Sequence, residues 1–127
     1  MLQSHKIVGF LFTTDYAKAR AFYVDKLGLK YISEDGFALT LRSGENMVRL
    51  GKAEAGKFTA AQHTVLGWEV PSVDKVAAEL RGKGIVFEKY PWVNDPNGIW
   101  TAPNGDKVAW FKDPDGNVLG ISEHRIS

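Results

Sequence analysis

The sequence predicts an α+β fold made of two successive β-α-β-β-β modules. Two observations predict it. A strand-forming run followed by a capped helical run occurs once in each half of the chain, and each helical run leads back into strand-forming segments. Near the C-terminus a strand, a tight acidic turn and a second strand follow one another without interruption. A diverged duplication of this kind is weak by residue identity and strong by order of elements.

In the first half, residues 7–12 are a continuous apolar run of strand-forming types, and Thr13, Thr14 and Asp15 supply helix-capping chemistry. Ala19, Phe22, Tyr23 and Leu27 recur at helical spacing over residues 16–27, and Gly28 is a natural C-terminal stop. Strands are expected at residues 30–33, 37–42 and 46–51, the last two split by the turn Ser43-Gly44-Glu45. Residues 52–62 read as a linker. In the second half, residues 65–70 repeat the strand and Ser72 the cap. Val76, Ala77 and Leu80 give the helix, which stops near Gly82 or Gly84. A strand is expected at 85–89, followed by the C-terminal hairpin. One domain is expected, with module one at about 5–52 and module two at about 63–124.

The chain has 127 residues, which is long enough for one domain with a hydrophobic core. Its net charge is +1 and no block of like charges occurs, so nucleic acid and anionic membrane are not expected partners. Cysteine is absent, which excludes a disulfide framework, a thiolate metal site and a thiol nucleophile. No apolar run approaches membrane-spanning length and no signal-peptide core opens the chain, so a cytoplasmic location is expected.

The C-terminal hairpin is the most specific motif. Val108, Trp110 and Phe111 favour strand, as do Val118, Leu119 and Ile121. Between them stands Asp113-Pro-Asp-Gly116. Pro114 presets its own φ, Asp113 can accept from the backbone two residues on, and Gly116 tolerates positive φ. The string Phe111-Lys-Asp-Pro-Asp-Gly-Asn117 resembles the signature hairpin of the vicinal-oxygen-chelate superfamily: glyoxalases, bleomycin resistance proteins and extradiol dioxygenases. Asp15, then Phe22-Tyr23, then Leu27-Gly28 resembles that family's first helix motif. The resemblance covers nearly the whole chain. It implies that the two modules curl into a cup-shaped mixed sheet, with helices outside and a small-molecule ligand inside. It also implies pairing of two chains, so a homodimer is expected.

The resemblance implies four metal-ligand positions, and none holds a donor. Counting back from the cap Asp15 reaches Gly9, the fourth strand offers Arg49, counting back from Val70 reaches Val65, and four residues after Gly116 stands Gly120. Gly and Val have no side-chain donor atom, and Arg has no lone pair for a cation. No metal and no cofactor are therefore expected. A displaced site on His5, His63 and His124 rests on strand parity alone, and no pair has a ligand spacing such as His-x-x-x-His.

Strand parity sets Gly9, Arg49, Val65, Gly67, Glu69, Val118 and Gly120 on inward faces and Val8, Phe10, Phe12, Leu66, Trp68, Val70, Leu119 and Ile121 in the core under the helices. Trp110 then points inward. Glycines clear volume there, and Arg49 offers a planar fork for a carboxylate or phosphate, or an ion-pair partner for Glu69. Residues 90–100 form a Pro/Asn/Gly-rich loop carrying Tyr90, Trp92 and Trp100, which reads as a ligand wall, a dimer contact or local packing. The candidate ligand-binding residues are Arg49, Trp110, Glu69, Trp92, Trp100, Gly9, Val65 and Gly120, with no catalytic residue assigned. The expected function is metal-free binding of a planar neutral or anionic small molecule. Cationic bleomycin fits poorly with Arg49. The alternatives are a lyase or dioxygenase with displaced metal ligands, or a metal-free acid–base enzyme using Glu69.

Overall fold

The computed structural model describes residues 1–125. Contacts group the chain into two units, Met1–Ala60 and Ala61–Ser127. In the first, a 3-10 turn (Leu2–Ser4) precedes β1 (Val8–Thr13), α1 (Tyr16–Arg20), β2 (Lys30–Glu34), β3 (Ala38–Ser43) and β4 (Asn46–Lys52). In the second come β5 (Thr64–Glu69), α2 (Val73–Gly82), β6 (Ile99–Thr101), β7 (Lys107–Lys112) and β8 (Val118–Glu123). The two sheets have the same wiring, β1-β4-β3-β2 and β5-β8-β7-β6. In each, the first strand runs parallel to the last and the other pairs are antiparallel.

The caps form as their residue types predict. Asp15 accepts from the Lys18 N–H at 3.1 Å and Ser72 from the Lys75 N–H at 3.2 Å, each satisfying an N–H that the helix cannot pair internally. Past Arg20 the helix widens into π geometry over Ala21–Lys26, where a plain α-helix was expected. Leu27 N–H reaches the Phe22 carbonyl at 3.0 Å. Phe22 and Tyr23 are adjacent, both buried and edge-to-face at 5.1 Å. The wider turn gives two bulky rings room that the preceding α turn would deny them. Gly28, at φ +80°, ends the segment.

The first sheet corrects the expected faces of β1. Leu11 and Thr13 are buried, whereas Val8, Phe10 and Phe12 are exposed. Residues 7–12 are apolar without alternation, so their pattern carries no parity. Register with β4 decides it. Gly9 pairs Val48 and Leu11 pairs Leu50, and both partners are buried. The opposite facing would expose Leu50 and bury Arg49. That loses roughly 1.5–3 kcal/mol for the aliphatic side chain and adds the cost of an unpaired buried charge. Gly9 therefore belongs to the helix-covered face, with Ala19, Phe22, Tyr23, Leu39 and Leu41 forming the buried core of this unit.

In the second unit the even–odd assignment of β8 and most of β5 agrees with the register. Leu66 pairs Leu119 and Trp68 pairs Ile121, while Gly67 pairs Gly120 and Glu69 pairs Ser122. Thr64 pairs Val118, so a bulge falls at Val65. The expected strand at 85–89 shrinks to one bridge, Phe87 to Phe111. The edge of β7 is filled in two pieces, Phe87–Glu88 and β6. The Glu88 N–H donates to the Trp110 carbonyl at 2.8 Å, and Ile99 pairs Ala109. Between the pieces, residues 90–98 leave the sheet and return. The β7–β8 turn closes as predicted. Asp113 Oδ1 accepts from the N–H groups of Asp115 and Asn117, both at 2.9 Å, and Gly116 has φ +87°.

Candidate ligand-binding site

The excursion over residues 90–98 brings four aromatic rings together. Trp110 stands at their centre on β7. Register places it beside Gly120 of β8, which pairs in turn with Gly67 of β5. A Cβ on Gly120 would lie 3.5 Å from Trp110 Cδ1, and one on Gly67 only 3.1 Å from the Gly120 carbonyl oxygen. The glycines thus let the indole lean across the sheet surface. Its Nε1–H donates to Thr64 Oγ1 at 3.0 Å, which fixes the ring and satisfies its one polar atom.

Three further rings rest on this indole. Tyr90 meets it edge-on at 5.6 Å and Trp92 at 6.3 Å, and Trp100 lies tilted at 6.2 Å. Tyr90 and Trp92 stack on one another at 4.7 Å, with planes 5° apart. Backbone chemistry holds the excursion. Val93 N–H donates to the Tyr90 carbonyl at 2.9 Å, and Asp95 Oδ2 accepts from Asn97 and Ile99 N–H at 2.9 and 3.1 Å. Gly98 turns the chain back at φ +78°. Trp92 remains 56% exposed and Tyr90, Trp100 and Trp110 are half-buried, so ring faces are open to a ligand. Such a surface offers area and π-contact with few polar anchors, which suits a planar apolar group.

Arg49 stands on the open face of the first unit, in a row with Phe10 and Thr40. Within that unit it forms no ion pair or hydrogen bond. Its charge acts at longer range. Backbone N–H groups of Phe37 and Ala38 hold the Asp35 carboxyl below its ordinary value, and Arg49 adds to the effect. Burial, then Asp35 and Glu34, push the Tyr16 phenol up, and Arg49 opposes them. The guanidinium keeps its planar fork for an acidic group.

The other expected residues fall as follows. Glu69 is exposed on the open face of β5. Val65 is the unpaired bulge residue, and Thr64, not foreseen, takes its place beside Gly120 and Trp110. Gly9 lies on the covered face of β1, as already noted. Nothing in the local pattern around Thr64 revealed its role, because the bulge shifts the parity that would have shown it. A depression of about 380 Å3 is lined by Arg81, Ile85, Phe87, Lys89, Pro96 and Asn97, with no tryptophan in its wall. It joins an apolar wall to surface cations without convergent polar groups, so the aromatic cluster is the better candidate.

The implied metal positions do not fit a metal. Val8, Phe10 and Phe12, which replace Gly9 on the open face of β1, also lack donors. His5 caps the 3-10 turn and His63 precedes β5. Among the described residues no group of three His, Asp or Glu side chains is placed to hold a metal ion. No described helix is long and apolar enough to cross a membrane.

Two mixed four-stranded sheets of like wiring, with helices on their outer faces, define an α+β protein of paired β-α-β-β-β-type modules. The family model described as the Glyoxalase/Bleomycin resistance protein/Dioxygenase superfamily matches residues 4–121, and the chain belongs to that superfamily. It is 31% identical over 127 residues to the uncharacterized protein YwkD of Bacillus subtilis, a match covering 87% of this chain and 89% of that protein. Its fold is similar to that of a lactoylglutathione lyase from Agrobacterium tumefaciens, with TM-score 0.73, 21% identity and 97% and 96% of the two chains covered. It is also similar to that of TnmS3, an antibiotic binding protein from Streptomyces sp. CB03234, with TM-score 0.68, 24% identity and 97% and 98% covered.

Proposed function

We propose that this protein is a metal-free small-molecule-binding member of the superfamily, one domain of two modules that holds a planar neutral or anionic ligand. The observation that carries the reading is the cluster of Tyr90, Trp92 and Trp100 around Trp110, with open ring faces beside Gly67 and Gly120. An antibiotic binding protein stands among the proteins of similar fold, so ligand binding is a use that this fold allows. Within the second unit Trp110 and Trp92 supply stacking area, and within the first Arg49 offers a planar fork to an anionic group. Absence of donors at the four implied ligand positions supports a metal-free site. In this reading the protein works in the cytoplasm as a homodimer.

Tryptophan fluorescence tests the reading directly. Planar aromatic compounds, acidic and neutral, are titrated into wild type, Trp110→Ala and Arg49→Lys, with fold checked by circular dichroism. Loss of stacking should weaken true ligands by about 1–3 kcal/mol in Trp110→Ala, or roughly five- to 150-fold. Arg49→Lys should weaken acidic ligands and leave neutral ones unchanged. Binding of every hit at wild-type strength by both folded variants would sink the proposal. One tightly bound ion per chain after exposure to nickel, zinc, manganese or ferrous iron, lost on replacing His5 or His63, would favour the metalloenzyme alternative.

A further inference from the structure

A hydroxyl, an imidazole and a carboxylate stand in line at one end of the second unit. Ser122 Oγ lies 2.9 Å from His124 Nε2, and His124 Nδ1 lies 3.2 Å from Asp106 Oδ2. The three residues come from β8, the segment just after it and the turn leading into β7. Asp106 is itself well held. Its Oδ1 accepts from the Arg125 N–H at 2.9 Å, and its own N–H donates to Asn104 Oδ1 at 3.0 Å. A depression of about 300 Å3, lined by Glu69, Val70, Pro71, Glu123 and His124, opens beside the imidazole.

The chemistry of the partners fixes the direction of the proton chain. The Arg125 N–H, then the His124 contact, keep the Asp106 carboxyl below its ordinary value. An ionised carboxylate only accepts, so the neutral imidazole carries its proton on Nδ1. Nε2 is then the acceptor and the Ser122 hydroxyl donates to it. This is the arrangement in which an imidazole withdraws a hydroxyl proton during attack while a carboxylate holds its orientation.

We propose that Ser122 is an acyl-accepting nucleophile, with His124 as its general base and Asp106 as its positioning residue, and that the adjoining depression takes small neutral or cationic carboxylic esters. The Ser122 oxygen bonds to the ester carbonyl carbon as its proton passes to His124 Nε2. The carbon–oxygen bond to the alcohol then breaks, and the imidazolium returns that proton to the departing alkoxide. Water, deprotonated by His124, attacks the acyl-serine. The bond to Ser122 breaks, the acid leaves and the hydroxyl is restored. Ester and water give acid and alcohol, with no other reactant. Glu69 and Glu123 border the depression and disfavour an anionic substrate. Glu123 is already engaged, accepting from the Val73 N–H at 2.9 Å and pairing with Arg125 at 3.5 Å, so Glu69 carries the uncompensated charge. This activity is independent of the aromatic cluster.

The test uses a fluorophosphonate probe and 4-nitrophenyl acetate on the full chain. Peptide mass mapping should find one phosphonyl group per chain, on Ser122, and none in Ser122→Ala. Nitrophenolate release should fall about 100-fold or more in His124→Ala and in His124→Gln. His124 is 40% exposed, so both variants should fold. Asp106→Asn should slow phosphonylation of Ser122 with the fold kept, a change that a purely structural carboxylate would not produce, and nitrogen-15 NMR should show the Nδ1–H tautomer of His124 in wild type. The singly anionic 4-nitrophenyl succinate should react at least about tenfold more slowly than the acetate. A folded wild-type protein left unlabelled at Ser122 by excess probe overturns the proposal. So does labelling at an equal rate in the His124 variants, or equal rates for the two esters.

Discussion

Asp113 shows how a single residue carries this fold. Its side chain is 5% exposed, yet it accepts from the N–H groups of Asp115 and Asn117 and from Asn117 Nδ2, the last at 2.8 Å. Three donors replace the water that the carboxylate loses. Asp113→Ala removes this acceptor from all three bonds and should cost about 2–4 kcal/mol, read as a lowered urea midpoint at unchanged slope. Exposed carboxylates act through pH instead. Folding lowers Asp35 and Asp106 below their ordinary 3.8, mainly through backbone N–H donors. A depressed folded value contributes stability that is complete above the unfolded value and is lost as pH falls through the folded one. Thermal unfolding should therefore drop on acidification below about 3.8, and Asp35→Asn should make that drop shallower.

At the scale of elements, the sequence showed what depends on local chemistry and hid what depends on register. Caps at Asp15 and Ser72, the stop at Gly28 and the turn 113–117 were legible because each is satisfied by residues a few positions away. The face of β1 was not, because an unbroken apolar run has no parity until Val48 and Leu50 supply it. The strand at 85–89 failed for a related reason. Its pattern suits an edge strand, but the chain leaves after Glu88 and completes the edge with β6. The indole at 110 was legible by alternation. The ring cluster around it was only half legible, since the aromatic composition of residues 90–100 was plain while its return to Trp110 depends on Gly98. Gly98→Ala should disturb that return. Its Cβ would meet Phe87 Cβ at 3.1 Å and the Glu88 carbonyl oxygen at 3.2 Å, at a φ that side chains disfavour by roughly 1–2 kcal/mol. We expect loss of near-ultraviolet tryptophan circular dichroism with the far-ultraviolet spectrum kept. An unchanged near-ultraviolet spectrum would mean that the cluster does not depend on this turn.

For the whole molecule, the face that β1 turns outward bears on self-association. Phe10 is 76% exposed, Phe12 54% and Val8 40%, all on one side of a strand that sits at the edge of its sheet. Phe12 covers Gly51 and tilts against Phe58 at 5.9 Å, whereas Phe10 neighbours Arg49 and Thr40. Exposed apolar side chains on a strand that ends its sheet favour association, and the near-neutral net charge of +1 adds little repulsion between copies. Sedimentation at micromolar concentration should give twice 14.1 kDa. Phe10→Asp should shift that toward monomer, because a carboxylate desolvated in an apolar contact costs several kcal/mol, while the exposed position leaves the monomer fold intact. The same variant separates two roles for the Arg49 face. If the dimer dissociates and acidic ligands still bind, Arg49 acts within one chain. If both are lost, Val8→Asp, whose new carboxylate lies beside Met47 and not Arg49, decides: joint loss there too means that the second copy completes the site that Arg49 serves. A wild-type protein that sediments as monomer at every concentration would leave the Phe10 face to some other partner.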